Sequence, residues 1–190
     1  MTEMEKMGQR AKEAASVLAV AGKQKKQALM AIADALVANK SRIIAQNDID
    51  IKNGKENGLT ESLLDRLKLT DERIEGMAQG VRKVADFDDP IGQIITGRVA
   101  ENGMEIKKVR VPMGVIGIIF EARPNVTPDA SSLCLKSGNA VILHTRTVID
   151  DTAQLHQQLR LAQQTAGEVT AQRLFDALHD LLGLIAVGTA

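Results

Sequence analysis

Tryptophan and tyrosine are missing from these 190 residues, and Phe87, Phe120 and Phe175 are the only aromatic rings. A core must then be assembled from Leu, Ile, Val, Met and Ala, which suits helices and buried parallel strands. A single cysteine, Cys134, excludes an internal disulfide and any CxxC metal cluster. Net charge is absent too. Lys+Arg and Asp+Glu both count 24, and the basic residues are scattered rather than striped, which argues against nucleic acid as a partner. No apolar run approaches the length of a membrane span, and Met1–Lys6 holds no apolar signal core. A cytoplasmic location with no membrane partner is the expectation. His144, His156 and His179 are too dispersed to make a metal-ligand pair, so no metal is expected.

What is present falls into three zones: 1–89, 90–143 and 144–190. The first carries helical periodicity. Thr2 and Glu5 fit a capping box, and Met4, Met7, Ala11, Ala14, Ala15 and Leu18 recur at helical spacing. Leu29, Ile32, Ala33, Leu36 and Val37 continue the pattern. The Lys23, Lys25, Lys26 cluster reads as a solvated helix start. Asn53-Gly54 and Asn57-Gly58 read as turn signals. Leu63, Leu64 and Leu67 predict a short helix, and Thr70 then caps a further one that should end near Phe87-Asp88-Asp89-Pro90.

In the second zone the period changes. Ile94 and Ile95 begin a strand, and Asn102-Gly103 between Arg98–Ala100 and Met104–Val111 predicts a hairpin. Val115–Phe120 is apolar at almost every position, as expected of a strand buried on both faces. Thr127-Pro128 predicts a helix start, Gly138 a left-handed stop, and Ala140–Leu143 a second strand, which together make a βαβ unit. In the third zone Leu155, Leu159, Ala162 and Ala166, then Leu174, Leu178, Leu181, Leu182 and Ile185, predict a mainly helical segment.

Ligands of open α/β sheets sit at the carboxyl ends of the strands, where Glu121–Asn125 follows Phe120. Arg123 can meet a phosphate or carboxylate, and Asn125 can donate its amide to a developing oxyanion. The plain alternative is a strand-to-helix loop in which Pro124 and Asn125 only set the turn. Gly114 and Gly117 lie within the strand run, and no G-x-G-x-x-G opens the next helix, so a usual pyrophosphate cradle is not expected. Cys134, in the middle of an apolar helical face between Leu133 and Leu135, reads as a buried structural thiol rather than a nucleophile.

Three stretches carry a family resemblance: Val109–Gly117, Phe120-Glu121-Ala122-Arg123-Pro124-Asn125-Val126-Thr127 and Ser132–Leu143. With Asn57–Thr60, Leu64–Leu67 and Asp88–Gly92 they resemble the γ-glutamyl phosphate reductase (glutamate-5-semialdehyde dehydrogenase) family, over residues 4–143. Glu-Ala-Arg-Pro-Asn-Val-Thr differs from the Pro-Trp-Asn loop of ordinary aldehyde dehydrogenases. The resemblance implies an aldehyde-dehydrogenase-like α/β fold: N-terminal helices, a hairpin used in oligomerisation, and an incomplete parallel-sheet nucleotide-binding domain ahead of the helical C-terminal segment. It implies NADPH-dependent reduction of γ-glutamyl 5-phosphate to glutamate 5-semialdehyde in proline biosynthesis, through a cysteine thioester. Asn125 takes the family's oxyanion-stabilising position. Glu121, Ala122, Arg123 and Pro124, with His144 where the family carries an Arg-Gly-Gly-type turn, stand on the NADP side.

Beyond Leu143 the residues depart from the family pattern, and the family's nucleophilic cysteine lies in a later domain. The leading expectation is a truncated or rearranged reductase that is inactive alone. The alternative is a non-catalytic interaction protein that pairs with itself or with a full-length reductase. A third reading is a small nucleotide-binding domain of unrelated function.

Overall fold

The structure, a computed structural model, describes residues 3–121 and 123–146. Five helices come first: α1 (Glu3–Leu18), α2 (Lys23–Ala38), α3 (Lys40–Glu56), α4 (Glu61–Leu67) and α5 (Asp71–Asp86). An antiparallel hairpin follows, β1 (Ile94–Val99) with β2 (Glu105–Val109). The chain then forms β3 (Val115–Glu121), α6 (Val126–Lys136) and β4 (Ala140–Arg146), with β3 and β4 parallel. The expected βαβ unit is therefore present, and each Asn-Gly or Ser-Gly stop that ends an element does so with a left-handed glycine: Gly58 at φ 78° after α3, Gly103 at φ 82° in the hairpin, Gly138 at φ 71° after α6.

The aliphatic stripes explain the packing. On α2, Leu29, Ile32, Ala33 and Leu36 are buried, and on α5 Ile74, Met77, Ala78, Val81 and Ala85 meet them. Ala33, Ala78 and Ala85 are fully buried, and side chains this small let two helices approach closely. Met7, Ala11, Ala14, Ala15 and Leu18 of α1, with Leu135 of α6 and Ala140 of β4, complete the core. Thr70 caps α5 as the sequence predicts, its hydroxyl accepting from the Arg73 N–H at 3.2 Å.

Several expectations need correction. Asn53-Gly54 is not a turn; α3 runs through it. Gly54 leaves room for the chain that folds back over the helix: a Cβ would lie 2.8 Å from Leu59 Cδ1, so the Leu59 side chain would have to shift. Lys25 is not a solvated residue: it is only 2% exposed and pairs with Asp89 at 2.8 Å, while its neighbour Lys26 pairs with Asp86 at 2.8 Å. Helix α6 begins at Val126, so Thr127 and Pro128 lie inside its first turn, both buried. There the missing proline N–H costs nothing, because the first turn has no intrahelical acceptor for it. Strand β3 is not buried on both faces, for Ile119 is 74% exposed and Val115 38%. Among the described residues β3 pairs with β4 alone, and the helices that contact this two-stranded sheet leave alternate side chains of β3 open. Finally, β4 continues through His144 to Arg146, so the helical expectation for 144–190 fails for its first three residues. Thr2 and the stripes of 155–185 lie outside the described residues.

The α4–α5 corner is held by one buried side chain. Asn47 of α3 is 2% exposed; its Nδ2 donates to the Leu67 carbonyl at 2.9 Å and its Oδ1 accepts from the Leu69 N–H at 2.7 Å. Helix α4 has only seven residues and cannot hold itself together alone. Replacing Asn47 by Ala leaves both Leu67 and Leu69 backbone groups buried without a partner. The expected loss is about 2–4 kcal/mol, read as a lowered urea midpoint with an unchanged slope.

A pH dependence also follows. Burial raises the Asp89 carboxyl, but hydrogen bonds from Lys25 and from the Ile91 N–H outweigh it and hold the group below its ordinary value. A depressed carboxylate stabilises the fold above the ordinary aspartate range, and that contribution disappears as pH falls through the lowered value. The stability gap between wild type and Asp89→Asn should be full at neutral pH and close toward the acid limb of a urea-midpoint series.

Candidate functional site

The carboxyl ends of β3 and β4 are brought level by an in-register ladder running from Val115 opposite Ala140 to Glu121 opposite Arg146. The other end of that ladder is pinned by Asn139. Its Oδ1 accepts from the Gly114 N–H at 2.9 Å and its Nδ2 donates to Ser137 Oγ at 2.9 Å, while Ala140 N donates to the Gly114 carbonyl at 2.9 Å. Gly114 has φ 109°, a conformation closed to other residues without strain. Gly114 and Asn139 thus set where β3 starts and hence where its far end delivers the next loop.

That loop contains the residues singled out in the sequence. Glu121 ends β3 and His144 pairs with Ile119 in β4, so both lie at this edge of the ladder. Ala122 lies outside the described residues. Arg123 and Asn125 are exposed, and Pro124 is buried beneath them. Asn125 is the residue before α6, with helical dihedrals (φ −64°, ψ −24°) and no side-chain cap on the helix. Its amide is turned to Asp129, Nδ2 donating to Oδ2 at 3.3 Å, a long bond. The amide is therefore free to donate elsewhere at small cost.

Arg123, Pro124, Asn125 and Asp129 form one wall of a cleft of about 550 Å³; the opposite wall is the α4–α5 corner. Arg66, Lys68 and Arg73 reach it from that side, with Leu69, Gly76 and Met77. Sequence reasoning missed this second wall, some fifty positions away: its Leu64–Leu67 stretch belongs to the family resemblance, but nothing local marks it as part of a site. Its size is that of an ordinary small-molecule site. Among the described residues, no group of three His, Cys, Asp or Glu could hold a metal ion. No helix among them is long and apolar enough to cross a membrane.

Cys134 is separate from the cleft. It is buried on α6, and burial pushes its thiol up from the ordinary value, the reverse of what a nucleophile needs. Lys136, two residues on, is also buried, but its Nζ is committed to the Ala85 carbonyl at 2.9 Å.

No protein-family model matches the chain. Curated relatives do. The γ-glutamyl phosphate reductase of Anoxybacillus flavithermus is 51% identical over 144 residues, 75% of this chain and 35% of the relative. That of Mesorhizobium japonicum is 46% identical over 166 residues, 86% of this chain and 39% of the relative. The first match has about the extent of residues 4–143. The second is too long for that span, so it continues past Leu143, where the sequence alone suggested that the likeness stops. The chain thus spans little more than a third of the relatives it matches. Among solved structures, γ-glutamyl phosphate reductase from Thermotoga maritima superposes with a TM-score of 0.75 at 33% identity, covering 96% of this chain and 40% of that one. A putative aldehyde dehydrogenase from Bacillus subtilis, 16% identical with a TM-score of 0.57 over 93% of this chain and 34% of its own, shares the fold.

The thiol can be checked directly. Cys134 should react with a disulfide reagent at least about tenfold more slowly in the native chain than in denaturant, because both burial and the raised pKa suppress thiolate. Equal rates would place it at the surface.

Proposed function

Because the chain belongs, over the residues it shares with them, to the γ-glutamyl phosphate reductase family, we propose that it supplies the carbonyl-binding side of that enzyme's reaction but not its nucleophile. The reaction is the reduction of γ-glutamyl 5-phosphate to glutamate 5-semialdehyde in proline biosynthesis, with the cytoplasm as its setting. A thiolate displaces phosphate from the acyl carbon, and the thioester formed is reduced to the aldehyde, regenerating the thiolate. NADPH, when bound, supplies the hydride.

The observation that carries this reading is Asn125, exposed at the strand end, lining the cleft, and held only by a 3.3 Å bond to Asp129. Its Nδ2 donates to the carbonyl oxygen as negative charge gathers there, an interaction whose loss typically costs about 100–1,000-fold in rate. Glu121, Ala122, Arg123, Pro124 and His144 would line the cofactor side. The fit is partial. Arg123 and the uncapped first turn of α6 suit an anion, but the left-handed Gly114 sits at the wrong end of β3 to cradle a pyrophosphate. The nucleophile is the missing part: Cys134 is the sequence's one cysteine, and it is buried with a raised pKa.

The test is phosphate-dependent oxidation of glutamate 5-semialdehyde with NADP⁺, beside a titration of NADPH binding. These 190 residues alone should give no turnover. Turnover abolished by Cys134→Ser would overturn the reading, since a thiol treated as structural would then be the nucleophile.

A second reading, an interaction protein built from the same fold, is favoured by the hairpin. Val99 is 67% exposed, Met104 55%, Val111 74% and Met113 86%, apolar side chains in and just beyond a two-stranded hairpin that pairs with no further strand among the described residues. A homo-oligomer, or association with a full-length reductase, would cover it. Sedimentation equilibrium should report a dimer or larger species that Val99→Lys dissociates; a monomer at all concentrations would dismiss the oligomer.

A further inference from the structure

The cleft beside Asn125 holds more positive charge than oxyanion stabilisation needs. Of its cations, Arg73 is spent on structure: it donates to the Asp65 and Lys68 carbonyls, the latter at 2.6 Å, and pairs with the Asp65 carboxylate at 3.0 Å. Arg66, Lys68 and Arg123 are different. All three are exposed at the cleft, and their side chains make no hydrogen bond or ion pair among the described residues. Two carboxylates line the cleft: Asp65 is taken by Arg73, whereas Asp129, across from Arg66 and Lys68, has only the long bond from Asn125 among the described residues. Between the walls the floor is bare. Gly76 of α5 has nothing within 4 Å of where a Cβ would stand, and Gly80, one turn on, would bring its Cβ within 3.8 Å of Asp129 Oδ1.

We propose that this cleft recognises the amino-acid end of the γ-glutamyl substrate, with Arg66 and Arg123 taking its α-carboxylate and Asp129 its α-ammonium, which assigns Arg123 to the substrate rather than to the cofactor side of its loop. The proposal rests on the function argued above, because it takes Asn125 as the address of the reacting carbonyl. An α-amino acid carries both charges on one carbon, so its site needs guanidinium forks and a carboxylate close together. A site for phosphate alone would be weakened by Asp129, a like charge on its wall. The distances are compatible. The γ-carbonyl and α-carboxylate carbons of an extended glutamyl group lie about 5 Å apart, across four C–C bonds, so one cleft bordered by Asn125, Arg123 and Asp129 can hold both ends. Recognition of the substrate's head group would then use residues from two segments, α4–α5 and the start of α6, that only the fold brings together.

The experiment is a calorimetric or NMR titration of the 190-residue chain with L-glutamate, which carries the head group and is chemically stable. Saturable binding is expected, weakened about tenfold or more by Arg66→Gln and by Arg123→Gln. Glutarate, which lacks the ammonium, and 4-aminobutyrate, which lacks the α-carboxylate, should each bind at least about tenfold more weakly than glutamate. Gly76→Leu fills the floor where a side chain has room, and should abolish binding with the melting temperature unchanged or raised. Glutamate binding that survives both arginine substitutions would overturn the proposal, as would a folded chain that binds none. Inorganic phosphate or NADPH competing with glutamate, and lost in the same variants, would make the cleft a phosphate subsite instead. The two readings fail separately. Turnover through Cys134 would sink the division of chemistry proposed above while leaving glutamate binding at the cleft untouched.

Discussion

The described fold depends on how helix α5 is held at its two ends. Its last turn presents carbonyl groups with no intrahelical partner, the negative end of the helix dipole, and two buried lysines converge there. Lys136 of α6 donates to the Ala85 carbonyl, and Lys25 of α2 holds Asp89 just beyond the helix. Buried cations are expensive unless paired, so these contacts are all-or-nothing and fix three segments in one register. The first turn is held differently, by the Thr70 cap and by Asn47 gripping the backbone on either side of Lys68. With no aromatic side chain among its buried residues, the core relies on close approach of alanine-bearing helices, and close approach demands such registration. The walls of the cleft inherit it: one belongs to the α4–α5 corner, the other to the start of α6, and α5 packs on both α2 and α6.

Much of this was legible in the sequence because the signals are local. The stripes of α1, α2 and α5, the Thr70 cap, the Asn102-Gly103 hairpin and the Gly138 stop each depend on residues within a few positions of one another. The misreadings share the opposite character. Asn53-Gly54 resembles a turn until Leu59 folds back into the space that the glycine leaves inside the helix. Lys25 resembles a solvated helix start until Asp89, sixty-four positions away, neutralises it. The apolar run of β3 fits a strand covered on both faces, yet the described residues cover it incompletely. In each case a tertiary contact decides what local chemistry leaves open.

The candidate site divides along the same line. Arg123 and Asn125 could be singled out because strand ends in α/β sheets are where ligands gather, and the family pattern points to the same loop. Arg66 and Lys68 could not, since two cations in a helical corner read as ordinary surface. The Leu64–Leu67 stretch contributes to the family resemblance, yet nothing in the sequence says why that corner should match. A cleft assembled from both segments supplies a physical reason: under the proposed function, the corner carries charge that the loop alone lacks.

Acyl-phosphate reduction requires a thiolate within bonding reach of the carbonyl that Asn125 would polarise. Cys134 fails this twice, because its thiol is buried in α6 with its pKa raised, and because it does not border the cleft. Under the proposed function, recognition and chemistry are separable: the fold would present a carbonyl site and a charged head-group site while the nucleophile is delivered from other residues. Such a division allows the described segment to keep its packing constraints, and the thiolate its own electrostatic environment, without either compromising the other.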